Sequence, residues 1–332
     1  MFGVKAPDRL RSGITRREAL KTGMATAGSL LAAGAAAANP SSGTASKPPA
    51  KPAIGIATFG FGQLGNAELA RELGGTGIET IQLFLSQSDS KFWRYNGRND
   101  LSNLTAERCK AIADTYRQAG LGIHSLGVYT NLIHPDPAER KANLEYFEAM
   151  MIVGGHMGVR TLITEAGHHQ PEKPEAVEYH FQESVWNQMV TTGKELAALA
   201  EKHDAIVLLE PFYRGFLASA KRTRLFLEAV GSPRIRALLD PANLIEVNDI
   251  SEMFDQLGPH IDCLHAKDRK LHVDRGVPAG QGDVDYRQFV TLAANKTPHA
   301  PLILEYVGPK NYRQALSHLR TVLEQAGITA SP

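Results

Sequence analysis

The chain has 332 residues, 43% hydrophobic and 21% charged, which is ordinary for a soluble globular protein of one domain. Its 36 Lys and Arg against 35 Asp and Glu leave a net charge of +1 and no evident basic face, arguing against non-specific nucleic-acid binding. Only two cysteines are present, too few to suggest a disulfide framework.

The first 50 residues read as a leader rather than as part of a fold. Thr15-Arg16-Arg17-Glu18-Ala19-Leu20-Lys21 precedes a mildly apolar, Ala- and Gly-rich run from Met24 to Ala38, then a Ser/Pro/Lys linker. A charged region, a weakly hydrophobic core and an Ala-x-Ala stop describe an export signal. The run is short and broken by Gly23, Gly28 and Gly34, so no stable membrane span is expected. The paired arginines followed by Leu and Lys resemble a twin-arginine signal. That resemblance implies cleavage near Ala38, a periplasmic or otherwise exported location, and the twin-arginine export machinery as a partner. The alternative is a basic amphipathic start with an unstructured tail. The expected division is a signal at 1–38, a linker at 39–51 and one domain at 52–327.

Ala53–Ala57 reads as the first strand, followed by a helix that Asn66 caps. Gly77–Leu85 is the second strand, and a polar and aromatic loop holding Trp93 follows as a candidate wall of a substrate site. Thr105 opens a helix, Leu121–Tyr129 is a strand containing His124, and Asp136-Pro137 opens a helix to about Val153. Val159–Thr164 is a strand that delivers Glu165, followed by one long helix from about Val177 to His203. Four further apolar runs then end in Glu210, Asp240, His265 and Glu305, with helices at 221–230, 250–257, 285–294 and 311–325. Cys109 falls in a helix and Cys263 in a strand, as a small core residue.

Short Val/Ile/Leu runs closed by turn residues are the signature of strands buried on both faces. Eight strand-then-helix units are what a closed (β/α)8 barrel needs, and no GxGxxG follows the first strand to suggest a dinucleotide fold. Residues at the carboxyl ends of barrel strands converge on one mouth. Glu210, Asp240, His265 and Glu305 would there form an oxygen-rich site for a divalent metal, Mn2+, Mg2+ or Co2+ before a thiolate-type zinc site. Asn243 could bind a ligand or satisfy a turn, and Lys267 could neutralise an anionic oxygen or pair with Asp268.

In the order Glu210, Asp240-Pro-Ala-Asn243, His265-Ala-Lys267-Asp268, Gly280-Gln-Gly-Asp283 and Leu304-Glu305-Tyr306, the chain resembles the xylose isomerase-like TIM barrel superfamily. Within it, the sugar phosphate isomerase/epimerase group is the nearer likeness. The resemblance implies a metal, Mn2+ first and Zn2+ also admissible, held by Glu210, Asp240, His265 and Glu305. It also implies that Glu210 and Glu305 act as acid and base on a keto-sugar through a metal-stabilised enediolate. Asn243, Lys267, Glu165, His124 and Trp93 are then expected to bind substrate. Asn243 stands where many epimerases have a His, and Arg269 and Arg275 are candidates for an Arg that follows the metal His there. Dehydration or lysis of a 3-keto-glycoside is the alternative by the same α-proton abstraction. Phosphodiester hydrolysis, as in the apurinic-site endonucleases that share this barrel, would need further His ligands. A catalytically silent binding protein is the third class, and pairing with a second copy is left open.

Overall fold

The computed structural model describes residues 51–328, and the expected signal and most of its linker lie outside them. Eight parallel strands form a closed ring. In chain order they are β1 (Ile54–Ala57), β2 (Thr80–Leu83), β3 (Gly122–Gly127), β4 (Thr161–Thr164), β5 (Ile206–Leu209), β6 (Ile235–Leu239), β7 (Ile261–Lys270) and, after the short β8 (Asp274–Pro278), β9 (Leu302–Leu304). Each pairs with its neighbour, and β9 closes the ring between β7 and β1. This is the expected TIM barrel.

Strand alternation sorts the side chains into two layers. One residue from each strand or its exit fills the barrel interior: Ala57, Phe84, Tyr129, Ile163, Leu208, Leu238, Cys263 and Ile303. Their neighbours, such as Val207 and Leu209 of β5, pack outward against the helices. The helical layer includes α1 (Asn66–Leu73), α2 (Ala106–Gln118), α3 (Pro137–Met157), α4 (Glu183–Lys202), α5 (Ala220–Val230), the one-turn α6 (Pro241–Leu244), α7 (Ile250–Leu257), α8 (Tyr286–Lys296) and α9 (Tyr312–Gln325). Thr105 and Asp136 start their helices as expected, and they, Ser219, Asp249 and Asp285 each accept a bond from a first-turn amide; Asn66, expected as a cap, is instead the first residue of α1 after Gly65. Cys109 and Cys263 are buried free thiols. No helix among the described residues is long and apolar enough to cross a membrane.

Two expectations need correction. The single helix foreseen from Val177 to His203 is a 3-10 turn over Val177–Phe181 and then α4, because Gln182 between them is extended, with ψ near 140°. The seventh strand does not stop at His265. It runs on to Lys270 because residues 267–270 pair antiparallel with β8, forming a hairpin that stands above the mouth. Asp268 anchors that hairpin by accepting bonds from the Gly280 and Val284 amides, at 3.2 and 3.0 Å.

Candidate metal centre

Each side chain at the mouth lies two residues beyond an interior apolar residue, so the period of the strand aims both the same way. Leu208 precedes Glu210, Leu238 precedes Asp240, Cys263 precedes His265, and Ile303 precedes Glu305. The result is a buried cluster in which one ligand atom from each of Glu210, Asp240, His265 and Glu305 lies within 4.8 Å of all the others. Asp240 also caps α6, whose first residue is Pro241, by accepting the Ala242 amide at 2.9 Å.

His265 is wholly buried and sits between two kinds of partner. Its Nε2 lies 2.7 Å from Gln82 Oε1, an acceptor, which assigns the ring proton to that nitrogen. Nδ1 then faces Glu210 Oε1 at 3.3 Å and Glu305 Oε2 at 3.5 Å, without a well-aligned hydrogen bond. A lone pair pointed at two carboxylates is repulsive unless a proton or a cation stands between them. Burial opposes charge on this imidazole, yet Glu305 and Glu210 overcome it and raise its pKa to about 10. The carboxylates thus demand positive charge at this position, and the donor set of three carboxylates and one imidazole fits a divalent ion. The Gln82 bond is the kind of support that orients a histidine ligand.

Lys267, two residues beyond His265 on β7, is buried between Asp240 Oδ2 at 2.9 Å and Glu305 Oε2 at 3.2 Å. Burial alone would raise the Glu305 carboxyl, but Lys267 and His265 hold it down at about 2. Asp240 is raised to about 6, because burial outweighs the pull of Lys267. Both Glu210 oxygens accept bonds, Oε2 from the Tyr129 hydroxyl at 2.9 Å and Oε1 from Asn243 Nδ2 at 2.8 Å. Glu165, at the exit of β4, accepts the Tyr95 hydroxyl at 2.8 Å. Burial and then the charge of Glu210 lift its pKa to about 7.

These groups border a cavity of about 630 Å³, which is in the range of small-molecule sites. Its charged side is built by residues on the later strands, and its other side by rings from the exits of β1, β2 and β3 and the loop after β2. Phe84 stacks on Tyr129 with centroids 5.7 Å apart, and Trp93 meets Phe84 edge-on at 5.3 Å.

The family model described as "Xylose isomerase-like TIM barrel" matches residues 67–322. The chain belongs to that family. No curated protein matches the sequence. Solved structures with the same fold include AsbF of Bacillus anthracis, a probable 3-DHS dehydratase involved in petrobactin synthesis. It is 20% identical over 82% of this chain and 98% of its own, with a TM-score of 0.66. A D-psicose 3-epimerase is 15% identical over 81% and 99%, with a TM-score of 0.63. The 3-keto-D-glucoside 4-epimerase YcjR of E. coli is 16% identical over 82% and 100%, with a TM-score of 0.60.

Within this xylose isomerase-like barrel, Asn243, Lys267, Glu165 and Trp93 all border the cavity with Glu210 and Glu305. His124 does not, contrary to expectation. It is the third residue of β3, well short of the mouth, and its ring lies near Asp262 at the start of β7. Of the two arginine candidates, Arg275 borders the cavity, whereas Arg269 is buried in an ion pair with Glu246 at 3.0 Å. Sequence reasoning missed Gln82 and Tyr129, whereas Tyr95 lies in the loop expected to wall the site. Gln82 did leave a signal: it is an amide inside the apolar run Thr80-Ile-Gln-Leu83.

Proposed function

We propose that the protein is an exported, divalent-metal-dependent isomerase or epimerase of a keto-sugar, acting by removal of the proton alpha to the carbonyl. The observation that carries the proposal is the convergence of four metal-grade donors beside a cavity with ample room for a sugar. Glu210, Asp240, His265 and Glu305 would hold the ion, Mn2+ in first place, with Mg2+, Co2+ or Zn2+ compatible with the same donors. Bound there, it would draw charge from a carbonyl oxygen and its neighbouring hydroxyl.

The chain's own groups handle the proton. Glu210 and Glu305 come from strands three apart around the ring, so their carboxylates would approach a sugar held at the ion from different sides. Lys267 and His265 keep Glu305 ionised, which makes it the unprotonated member of the pair but weakens its pull on a proton while Lys267 stays against it. Tyr129 and Asn243 orient Glu210 and leave each of its oxygens a second lone pair. Asn243, Lys267, Glu165 and Trp93 bind substrate. The Arg16-Arg17 leader sends the enzyme out of the cytoplasm, where a keto-sugar or keto-glycoside is a more accessible substrate than a sugar phosphate. Retained export of an Arg16→Lys, Arg17→Lys variant would count against the twin-arginine route, and recovery of the wild-type enzyme in the cytoplasm alone would count against the placement.

Glu165 favours a second reading. A cavity carboxyl raised to about 7 is partly protonated at neutral pH and could donate to a leaving oxygen at the β carbon. The reaction is then dehydration or lysis of a 3-keto-glycoside. Both readings share the first step. In D2O, Mn2+-loaded protein should exchange the α-proton of ketoses, inososes or 3-keto-glycosides, as followed by NMR. Glu210→Gln and Glu305→Gln should each abolish that exchange. Absence of exchange across the panel in metal-loaded wild type would overturn enolisation, and the product would separate epimer from elimination product.

A further inference from the structure

The cavity is several times larger than one sugar ring, and its two sides differ in chemistry. Glu165, Glu210, Lys267 and Glu305 account for the charged side, which a single keto-sugar would cover. A connected array of rings starts among them, with the Tyr129 hydroxyl on Glu210, the Tyr95 hydroxyl on Glu165 and Lys267 Nζ 4.6 Å from the Tyr306 ring centre, and lines the remaining space out to the rim. Phe59 lies 6.4 Å from Trp93 and 6.2 Å from Tyr306, while Trp93 and Tyr95 lie 6.4 and 6.0 Å from Tyr129. Phe84 and Tyr129 form the deep end of the array, and Tyr95 and Tyr306 the outer rim, 48% and 45% exposed.

The backbone is held in an unfavourable conformation to present those outer rings. Tyr306 has φ of +56°, a left-handed conformation costly for an aromatic residue. Lys91 and Asn96, at +56° and +47°, bracket the segment that carries Trp93 and Tyr95. Strain of this kind gathers at ligand clamps, because the surrounding structure must hold it in place. Gly276 on β8 makes room for the result, since a Cβ there would collide with the Tyr306 ring. The hairpin, the β2 exit loop and the residue after Glu305 therefore cooperate to expose ring faces toward one cavity.

We infer that this array is a second subsite that receives a flat ring joined by a glycosidic bond to the sugar at the charged side. The substrate class is thus a two-ring keto-glycoside, with an aryl group or a second sugar outermost, rather than a free monosaccharide. The C–H face of a sugar and the π face of an aryl group both stack on aromatic side chains. Arg214 and Arg275 line the same cavity and make no ion pair among the described residues, so hydroxyl acceptors on an outer sugar meet donors there. The inference rests on the keto-sugar reading for the identity of the inner ring.

The test is binding, which needs no turnover. Calorimetry on the Mn2+-loaded protein would compare methyl and phenyl β-glycosides of glucose, galactose and xylose with the matching β-linked disaccharides. The expected result is that, for at least one sugar, a two-ring probe binds about tenfold or more tighter than its methyl partner. Which probe wins identifies the outer ring as aryl or sugar. Trp93→Ala should reduce the preference to about threefold or less, and Trp93→Phe should restore most of it. Tyr306→Ala is the second variant should Trp93→Ala not fold. Equal affinity of one- and two-ring probes, or no binding of any, would overturn the second subsite. So would a preference that survives both alanine variants. Loss of α-proton exchange would instead remove the enolisation reading and leave the ring preference standing.

Discussion

Gln82→Leu is the sharpest test of how the metal centre is built. The bond from His265 Nε2 to Gln82 Oε1 is 2.7 Å long, and both residues are wholly buried. Leucine fills a similar volume but leaves a buried imidazole N–H without a partner, which costs about 1–3 kcal/mol. The ring can escape that cost by moving its proton to Nδ1, the nitrogen that faces Glu210 and Glu305. That move removes the lone pair a metal would use. Either route weakens the ion's hold, and loss of such a supporting bond typically lowers metal affinity about 10- to 100-fold. At about 1.4 kcal/mol per tenfold, that range agrees with the hydrogen-bond estimate. Calorimetric titration of metal-stripped protein with Mn2+ would measure it, with circular dichroism to check the fold. Unchanged affinity in a folded variant would refute the claim that Gln82 fixes the His265 tautomer.

Lys267→Met should destabilise metal-free protein by about 3–5 kcal/mol, because it leaves Asp240 and Glu305 buried without their shared cation. Added Mn2+ should recover much of that loss, and equal destabilisation with and without metal in urea titrations would contradict it. Glu165 has a folded pKa of about 7 against an ordinary 4.5, so the folded state holds the extra proton between those values. Wild-type stability should therefore fall as pH rises from about 4.5 to 7, and Glu165→Gln should escape that loss, gaining about 1–3 kcal/mol over wild type after allowance for cavity water. A difference flat with pH would show that Glu165 is not held protonated. Gly282→Ala would drive a Cβ into the Arg269 carbonyl and the Asp268 carboxylate. It should lower stability by about 1–3 kcal/mol, and an unchanged melting temperature would show that the hairpin yields freely.

The four clustered candidate donors were legible because a strand buried on both faces writes itself as an apolar run. A polar residue ending such a run has few places to go but the mouth. Glu210, Asp240, His265 and Glu305 follow that rule, and so does Glu165. His124 was misplaced because its depth in β3, not its polarity, decides what it meets. The long hairpin was hidden because Ala266-Lys-Asp-Arg-Lys270 reads locally as a polar loop, and its extended form comes from pairing with β8. Gln82 was overlooked because its partner lies 183 residues away. The aromatic side is likewise assembled from Phe59, Phe84, Trp93, Tyr129 and Tyr306, whose proximity no local pattern records.

The split of the mouth into a charged and an aromatic side also divides the gene. The candidate metal donors and the groups proposed to handle the proton come from residues 165–305, whereas four of those five rings come from residues 59–129. Gln82, Tyr129 and Tyr95 cross that divide, bonding His265, Glu210 and Glu165. A recombination point between β3 and β4 would therefore exchange most of the ring wall together with the groups that orient the reacting side chains. Chimeras cut there keep their register only where those three residues are carried over.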